Sequence, residues 1–259
     1  MRRTTSTVHL RGSMPLRRLL KGFNDFRLGY FAEHQDLFER LSRDGQAPKI
    51  LLVGCADARV DPGIVTQTRP GELFTVRNVA ALVPPAQYPP DMRHHGTSAA
   101  IEFAVRALGV EHVVVLGHAL CGGIRSLVDG KESVYADYDY LASWTAIAQG
   151  VRDRVVAELP GRPADEIARA VEQASVLNSV TNLMSFRWLA ERVEAGTLVL
   201  HAWWFNMTEG SLYAFDPAQG RFSQVRGVEL VPAMQAGSPL SAVRPERLVE
   251  TLAGKPPAF

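Results

Sequence analysis

Residues 49–59 read KILLVGCADAR, and this stretch decides the fold because a short apolar run ends abruptly in polar residues. A continuous apolar run of this length is typical of a strand that is covered on both faces of a parallel sheet. Residues 112–117 (HVVVLG) form a second such run, which stops at His118. Residues 97–108 and 165–194 carry apolar residues at the three- and four-residue spacing of helices. Strands that alternate with helices predict an α/β protein whose mostly parallel sheet is flanked by helices.

Other segments complete this predicted architecture. We expect the remaining elements at these positions: helices at residues 31–42 and 138–159, and strands at residues 73–76, 197–205 and 211–215. Residues 82–95 contain four prolines, so we expect a loop there. Phe103 lies opposite the apolar face of the helix predicted at residues 97–108, so we expect that helix to be covered on two sides.

Composition and charge limit the classes of function. The chain has 259 residues, of which 46% are hydrophobic and 21% charged, as in ordinary globular proteins. Its net charge of +1 gives no reason to expect nucleic acid or an anionic membrane as a partner. No apolar run reaches the roughly 18 residues that a helix needs to span a bilayer.

The two ends of the chain differ from its middle. Residues 1–30 form a predicted basic arm or helix, in which all charged residues before the first acid, Asp25, are basic: Arg2, Arg3, Arg11, Arg17, Arg18 and Lys21. The arm lacks the apolar segment of a secretory signal, so we expect a cytoplasmic protein. A transit peptide, a disordered arm and an arm that embraces a partner stay open. We expect one α/β domain at residues 31–230 and a tail at residues 231–259.

Both cysteines of the chain follow predicted strands. Cys55 follows the first apolar run, whereas His118 and Cys121 follow the second. Because ligand sites of open α/β sheets form beyond the carboxyl ends of the strands, these side chains converge if the two strands are neighbours. Two cysteines could also form a disulfide or stay as buried thiols. Two thiolates and an imidazole instead suit a tetrahedral Zn²⁺ whose fourth position stays open, as in catalytic zinc sites.

Asp57 and Arg59 lie at alternate positions after Cys55. A carboxylate so close to a metal thiolate needs a cation, and Arg59 is its natural bidentate partner. The pair could be a local salt bridge only. Alternatively the pair is a gate. While Arg59 holds Asp57, the fourth position of the metal stays open, and when Asp57 is released it becomes the fourth ligand. A structural zinc site would normally need a fourth cysteine or histidine, and the sequence places none nearby.

The two motifs together resemble those of the β-class carbonic anhydrases, in particular the plant-like and cyanobacterial branch. The motif C-x-D-x-R lies at residues 55–59 and H-x-x-C-G-G at residues 118–123. The resemblance includes further segments, at residues 70–74 (PGELF), 77–78 (RN), 99–105 (AAIEFAV) and 201–203 (HAW). It implies zinc on the Cys-His-Cys set, a functional aspartate–arginine pair and a β-carbonic anhydrase-like α/β fold.

The resemblance also assigns substrate-binding residues. Gln46 falls where the family has a glutamine that donates a hydrogen bond to the substrate, and Phe74 matches an apolar pocket residue. Phe103 stands where plant-like members have tyrosine, so that wall lacks a hydroxyl. An exposed loop position for Gln46 and a plain core position for Phe74 stay open. Some bacterial members build a regulatory bicarbonate pocket on a tryptophan and an arginine; Leu52 replaces the tryptophan although Arg77 is present, so we do not expect that pocket.

The implied activity is the reversible conversion of carbon dioxide into bicarbonate and a proton by a lyase. Family members are dimers at minimum, with the active site at the subunit interface, so we expect a homodimer or a larger even-numbered homo-oligomer. A bacterial carbon-fixing assembly is one setting for it. Two alternatives stay open: a carbon disulfide or carbonyl sulfide hydrolase on the same fold, and a non-catalytic zinc scaffold. Residues 117–123 (GHALCGG) lack the G-x-G-x-x-G spacing, which argues against a nucleotide site.

Overall fold

The computed structural model describes residues 14–90 and 95–227, and a six-stranded sheet is formed between Ile50 and Gln224. The strands are β1 (Ile50–Cys55), β2 (Leu73–Asn78), β3 (His112–His118), β4 (Val199–Asn206), β5 (Ser211–Asp216) and β6 (Arg221–Gln224). They are ordered β2-β1-β3-β4-β5-β6 across the sheet. Strands β1 to β4 run parallel, and β5 and β6 each pair antiparallel with the strand before them. The predicted α/β class with a mostly parallel sheet is confirmed.

The described residues contain the predicted helices, several of them divided into shorter ones, and also a helix at residues 62–66 that was not predicted. The helices are α1 (Met14–Leu28), α2 (Tyr30–Glu33), α3 (Gln35–Asp44), α4 (Pro62–Thr66), α5 (Gly96–Glu102), α6 (Gly122–Asp129), α7 (Asp139–Thr145), α8 (Gln149–Glu158), α9 (Ala164–Leu183) and α10 (Arg187–Glu194). The helix predicted at residues 31–42 is broken at His34, whose backbone angles are not helical. In this part of the chain, none of the helices combines the length and the apolar character that crossing a membrane requires.

The helix predicted at residues 97–108 is confirmed, as an α-helix over Gly96–Glu102 that continues as a π-helical turn over Phe103–Ala107. The expectation that it is covered on two sides was wrong. Phe103 is 48% exposed, so the described residues do not cover that helix on its second side. Strand β6 was not predicted, because its sequence RFSQ offers one apolar residue, Phe222, which packs edge-on against Phe215.

Contacts within the chain divide it into two compact units between Gln46 and Ala47, whereas the prediction placed a boundary at residue 30. In the N-terminal unit, the rings of Phe26, Phe31 and Phe38 form a cluster with centroids 4.9 to 6.1 Å apart. Residues 1–13 of the predicted arm and the predicted tail at residues 231–259 lie outside the described residues.

The C-terminal unit is built around β1 and β3, which are buried from their second residue to their last. Helix α9 packs against β3 and β4 and is itself buried around most of its surface. Gly117 permits this close packing, because a Cβ atom there would lie 2.4 Å from Cγ2 of Val176. The packing of α9 therefore fixes the carboxyl end of β3, where His118 follows.

Candidate metal centre

The carboxyl ends of β1 and β3 bring two predicted ligands to one edge of the sheet. The two strands are parallel neighbours, and their register places Gly54 opposite Leu116. Cys55 and His118 are the last residues of these strands. The metal prediction depended on the two strands being adjacent, and the structure meets that condition.

A short turn returns Cys121 to the same edge. Leu120 adopts a left-handed conformation with φ of 59°, and its carbonyl accepts a hydrogen bond from Nη2 of Arg59 at 3.1 Å. The N–H of Cys121 then donates to Oε1 of Glu172 at 3.0 Å. Glu172 belongs to α9 and is only 6% exposed, so a buried carboxyl group fixes the backbone of a predicted ligand. Glu172 was not predicted from the sequence.

The last glycine of the H-x-x-C-G-G motif allows a close contact. A Cβ atom at Gly123 would lie 2.5 Å from Cγ1 of Val79. The turn after β2 therefore approaches α6, and Ala80, with φ of 66°, donates its N–H to Sγ of Cys55 at 3.3 Å. The N–H of Asp57 donates to the same sulfur at 3.4 Å. Two backbone donors thus stabilise a negative charge on Cys55.

The ligand atoms of Cys55, His118 and Cys121 lie within 4.8 Å of one another, and all three residues are buried. Both cysteines are free thiols rather than a disulfide. Nδ1 of His118 lies 2.8 Å from the carbonyl of Ala119, whereas its Nε2 is buried without a hydrogen-bond partner. If Nδ1 donates to that carbonyl, Nε2 keeps a free lone pair. These atoms fit zinc, because a tetrahedral site holds its sulfur and nitrogen ligands roughly 3.5–4 Å apart.

Two thiolates at this distance need a nearby positive charge. Hydrogen bonding with the Cys121 thiol lowers the pKa of Cys55 to about 4, although burial opposes the shift. The neighbouring Cys55 sulfur, together with burial, holds the pKa of Cys121 well above its usual value. One sulfur therefore ionises readily, and the second does so only beside a cation. A divalent metal supplies that charge, so the electrostatics and the donor set agree.

Arg59 holds Asp57 in a bidentate ion pair. Nε of Arg59 lies 2.9 Å from Oδ1 and Nη2 lies 2.7 Å from Oδ2, while the backbone N–H of Arg59 donates to Oδ1 at 2.9 Å. These hydrogen bonds hold the pKa of Asp57 well below its usual range, so the carboxylate stays ionised. Oδ2 of Asp57 lies 4.0 Å from Nε2 of His118. Asp57 therefore lies beside the ligand cluster while it is bound to Arg59; the predicted gate requires this arrangement, and the gate itself stays a prediction.

The predicted substrate-binding residues lie in different parts of the chain. Gln46 is an exposed residue of the N-terminal unit. Phe74 lies on β2, four residues before Asn78, which pairs with Cys55. At about 3.3 Å per residue, Phe74 is therefore roughly 13 Å along the strand from the edge that carries the ligands. Phe103 packs against Phe74, with ring centroids 5.8 Å apart, so both rings lie away from the ligand cluster of their own chain.

Comparisons with known proteins agree with this geometry. A sequence profile of the carbonic anhydrase family matches residues 50–212, which is more than half of the chain. The solved structure of the β-carbonic anhydrase CcaA superposes with a TM-score of 0.73 at 32% identity, and the match covers 83% of this chain and 94% of that one. The chain belongs to the β-class carbonic anhydrase family. Its sequence is also 31% identical to the carbonic anhydrase of Synechococcus elongatus, over 88% of this chain and 80% of that protein.

Membership of the β-class carbonic anhydrases confirms the predicted resemblance, the fold and the assignment as a lyase. The family depends on zinc, and its general activity is the hydration of carbon dioxide. Tetrameric β-carbonic anhydrases from Sordaria macrospora are also similar, with a TM-score of 0.64 at 26% identity over 78% of this chain and 97% of theirs. The cytoplasmic location and the carbon-fixing assembly stay predictions.

Proposed function

We propose that this protein catalyses the reversible hydration of carbon dioxide to bicarbonate and a proton, with one Zn²⁺ held by Cys55, His118 and Cys121. The observation that carries the proposal is the buried cluster in which an unpartnered imidazole nitrogen lies within 4.8 Å of two sulfur atoms. Three protein ligands leave the fourth position of zinc open, as in catalytic sites. A non-catalytic scaffold would have no need of Arg59 to hold Asp57 away from that position.

The residues of the chain prepare the place of reaction. When bound, zinc supplies Lewis-acid activation of the water that attacks carbon dioxide. Asp57 stays ionised beside Arg59 and accepts a hydrogen bond from that water, which turns an oxygen lone pair toward the carbon atom. Arg59 also donates to the carbonyl of Leu120, and this contact fixes the guanidinium while it holds Asp57. The reaction yields bicarbonate and releases one proton to solvent.

A homodimer with a shared pocket explains the positions of Phe74 and Phe103. Both rings lie too far along the sheet to reach the ligand cluster of their own chain, so they serve the cluster of a second copy. Leu120, beside the ligands, is 61% exposed, and a partner would cover this apolar surface. Gln46 stays the donor to substrate that the family resemblance assigns. Light scattering should give an even multiple of the chain mass, whereas a monomer that is active at assay concentration would contradict the shared pocket.

Loss of one ligand tests the zinc function. We expect the wild-type protein to bind about one zinc per chain and to hydrate carbon dioxide in a stopped-flow assay, and Cys121→Ser to lose both. Ser126→Ala, a buried change on the adjacent helix α6, is the matched control and should keep both.

Other outcomes of this experiment would change the assignment. Full zinc in Cys121→Ser removes Cys121 from the site. Hydrolysis of carbonyl sulfide or carbon disulfide without hydration of carbon dioxide assigns the alternative substrate. If the wild-type protein binds stoichiometric zinc but has none of these activities, it is a non-catalytic zinc scaffold.

A further inference from the structure

Arg77 ties together the segment that follows β1. Its Nε donates to the carbonyl of Cys55 at 3.0 Å, and its Nη2 donates to the carbonyl of Asp57 at 2.8 Å. Its Nη1 donates to Oδ2 of Asp61 at 2.7 Å and completes an ion pair. The three nitrogen atoms of one guanidinium therefore bind three points of residues 55–61, a segment that contains a metal ligand and the gate residue.

The position of Arg77 in the sheet explains its reach. The register of β1 and β2 pairs Gly54 with Arg77, so the guanidinium extends over the carboxyl end of β1. Backbone carbonyls beyond a strand end lose their regular partners in the sheet and need other donors. Arg77 is such a donor for two of them. Its side chain is only 29% exposed, so water competes less for these bonds than it would at an open surface.

Asp61 anchors the far end of the same segment. Its Oδ2 binds Arg77, while its Oδ1 accepts the N–H of Ile64 at 3.2 Å and caps α4. The Arg59 side chain is 53% exposed and that of Arg77 is 29% exposed, so water screens the bonds of Arg59 more strongly. The backbone of the gate is therefore held from β2 as well as by Arg59.

We propose that Arg77 is a positioning residue, which keeps Asp57 paired with Arg59 and away from the metal ligands. Oδ2 of Asp57 lies 4.0 Å from Nε2 of His118, so a small rotation of the backbone at Asp57 would carry the carboxylate into the cluster. The bond from Arg77 to the carbonyl of Asp57 resists that rotation. This role rests on the proposed hydration of carbon dioxide and deepens it.

The variant Arg77→Lys keeps the positive charge but offers one donor atom in place of three. We expect it to keep about one zinc per chain and to lower kcat for hydration about tenfold or more, with KM changed less than about twofold. Arg69 forms an exposed ion pair with Glu72 outside residues 55–61, so Arg69→Lys is the matched control and should change neither zinc nor kcat. Wild-type kcat in Arg77→Lys, or zinc that falls in parallel with kcat, would overturn the proposal.

A double-mutant cycle separates positioning from a general loss of structure. If Arg77 acts through Asp57, adding Arg77→Lys to Asp57→Asn should lower kcat by less than about twofold further. If the double variant instead lowers kcat by the product of the two separate effects, the proposal is overturned. Arg77→Lys would then act independently of Asp57, as a general structural defect does.

Amide hydrogen exchange gives a readout that does not depend on catalysis. The N–H of Arg59 donates to Asp57, so in Arg77→Lys it should exchange about tenfold faster, while the amide of Val53 in β1 should keep its wild-type rate. Equal acceleration of both amides would show global loosening and overturn the proposal. Wild-type protein with neither zinc nor hydration activity would instead refute the proposed function, and the exchange measurement would still decide whether Arg77 holds the segment.

Discussion

Replacing Arg59 with alanine perturbs the gate directly. The change removes two charged hydrogen bonds to Asp57, at 2.9 and 2.7 Å, but keeps the backbone N–H that donates to Oδ1 at 2.9 Å. Hydrogen bonds to charged groups contribute about 1.5–3 kcal/mol each. Because the Arg59 side chain is about half exposed, water screens the ion pair and reduces its free-energy contribution. We therefore expect Arg59→Ala to lose about 1.5–3 kcal/mol of transition-state stabilisation, which corresponds to roughly a tenfold to hundredfold decrease in kcat/KM.

Zinc should stay bound in Arg59→Ala, because Asp57 loses its cation and becomes a fourth ligand. The assay is stopped-flow hydration of carbon dioxide, combined with elemental analysis of the same samples. Arg69→Ala removes a comparable but exposed ion pair and should change kcat/KM by less than about twofold. If Arg59→Ala binds zinc fully and keeps the wild-type kcat/KM, the gate is refuted. The pair of Asp57 and Arg59 would then be only a local salt bridge.

Changes at three other positions have defined outcomes. Glu172→Ala leaves the N–H of Cys121 without its acceptor, so competitive chelation should show about tenfold weaker zinc binding. Glu172→Gln keeps an acceptor, so its zinc affinity should stay within about threefold of the wild-type value. Equal zinc affinities in Glu172→Ala and Glu172→Gln would count against the role of Glu172 as acceptor. Burial lowers the pKa of His201 to about 4, below its unfolded value of about 6.5, so its contribution to stability is lost as the pH falls from 6.5 to 4. The free energy of unfolding, measured by denaturation at pH 7.5 and 4.5, should therefore decrease by about 2.5 kcal/mol less in His201→Gln than in the wild type. An equal decrease in both proteins would contradict the lowered pKa. Gly117→Ala should lower the free energy of unfolding by about 1–3 kcal/mol, because its Cβ would lie 2.4 Å from Val176, and adding Val176→Ala should restore part of it. Unchanged thermal unfolding of Gly117→Ala would disprove the close contact.

The three ligands could be predicted from the sequence because each follows a strand end. Parallel strands bring their carboxyl ends to one edge of a sheet, and the apolar runs before Cys55 and His118 mark those ends. The spacing from His118 to Cys121 then keeps the second cysteine at the same edge. Asp57 and Arg59 could be predicted for the same reason, since both lie within a few residues of Cys55.

Glu172 could not be found in this way. Its contact with Cys121 joins a loop to the middle of α9, and no local pattern in the sequence encodes such a long-range contact. The only signal is a charged residue on a helix that is otherwise buried around most of its surface. Ala80 is hidden for a related reason, because its role depends on a backbone N–H and a left-handed turn rather than on its side chain.

The sequence also left the substrate pocket unresolved. Resemblance assigned Phe74 and Phe103 to it, but the register of β2 places Phe74 about 13 Å along the sheet from the ligands. Phe103 is 48% exposed, and the proposed homodimer would account for this because a pocket between subunits leaves part of its wall uncovered in one chain. A local sequence pattern does not reveal a pocket of that kind, because its surfaces would meet only in a second copy.

Anomalous X-ray scattering at the zinc edge, measured on crystals of the wild-type protein, tests the zinc site most directly. We predict one zinc per chain, about 2.3 Å from the sulfur atoms of Cys55 and Cys121 and about 2.0–2.1 Å from Nε2 of His118. Asp57 should remain paired with Arg59 in the same crystals. A zinc ion bound elsewhere, or zinc-loaded protein without anomalous density between these three residues, would contradict the proposed centre.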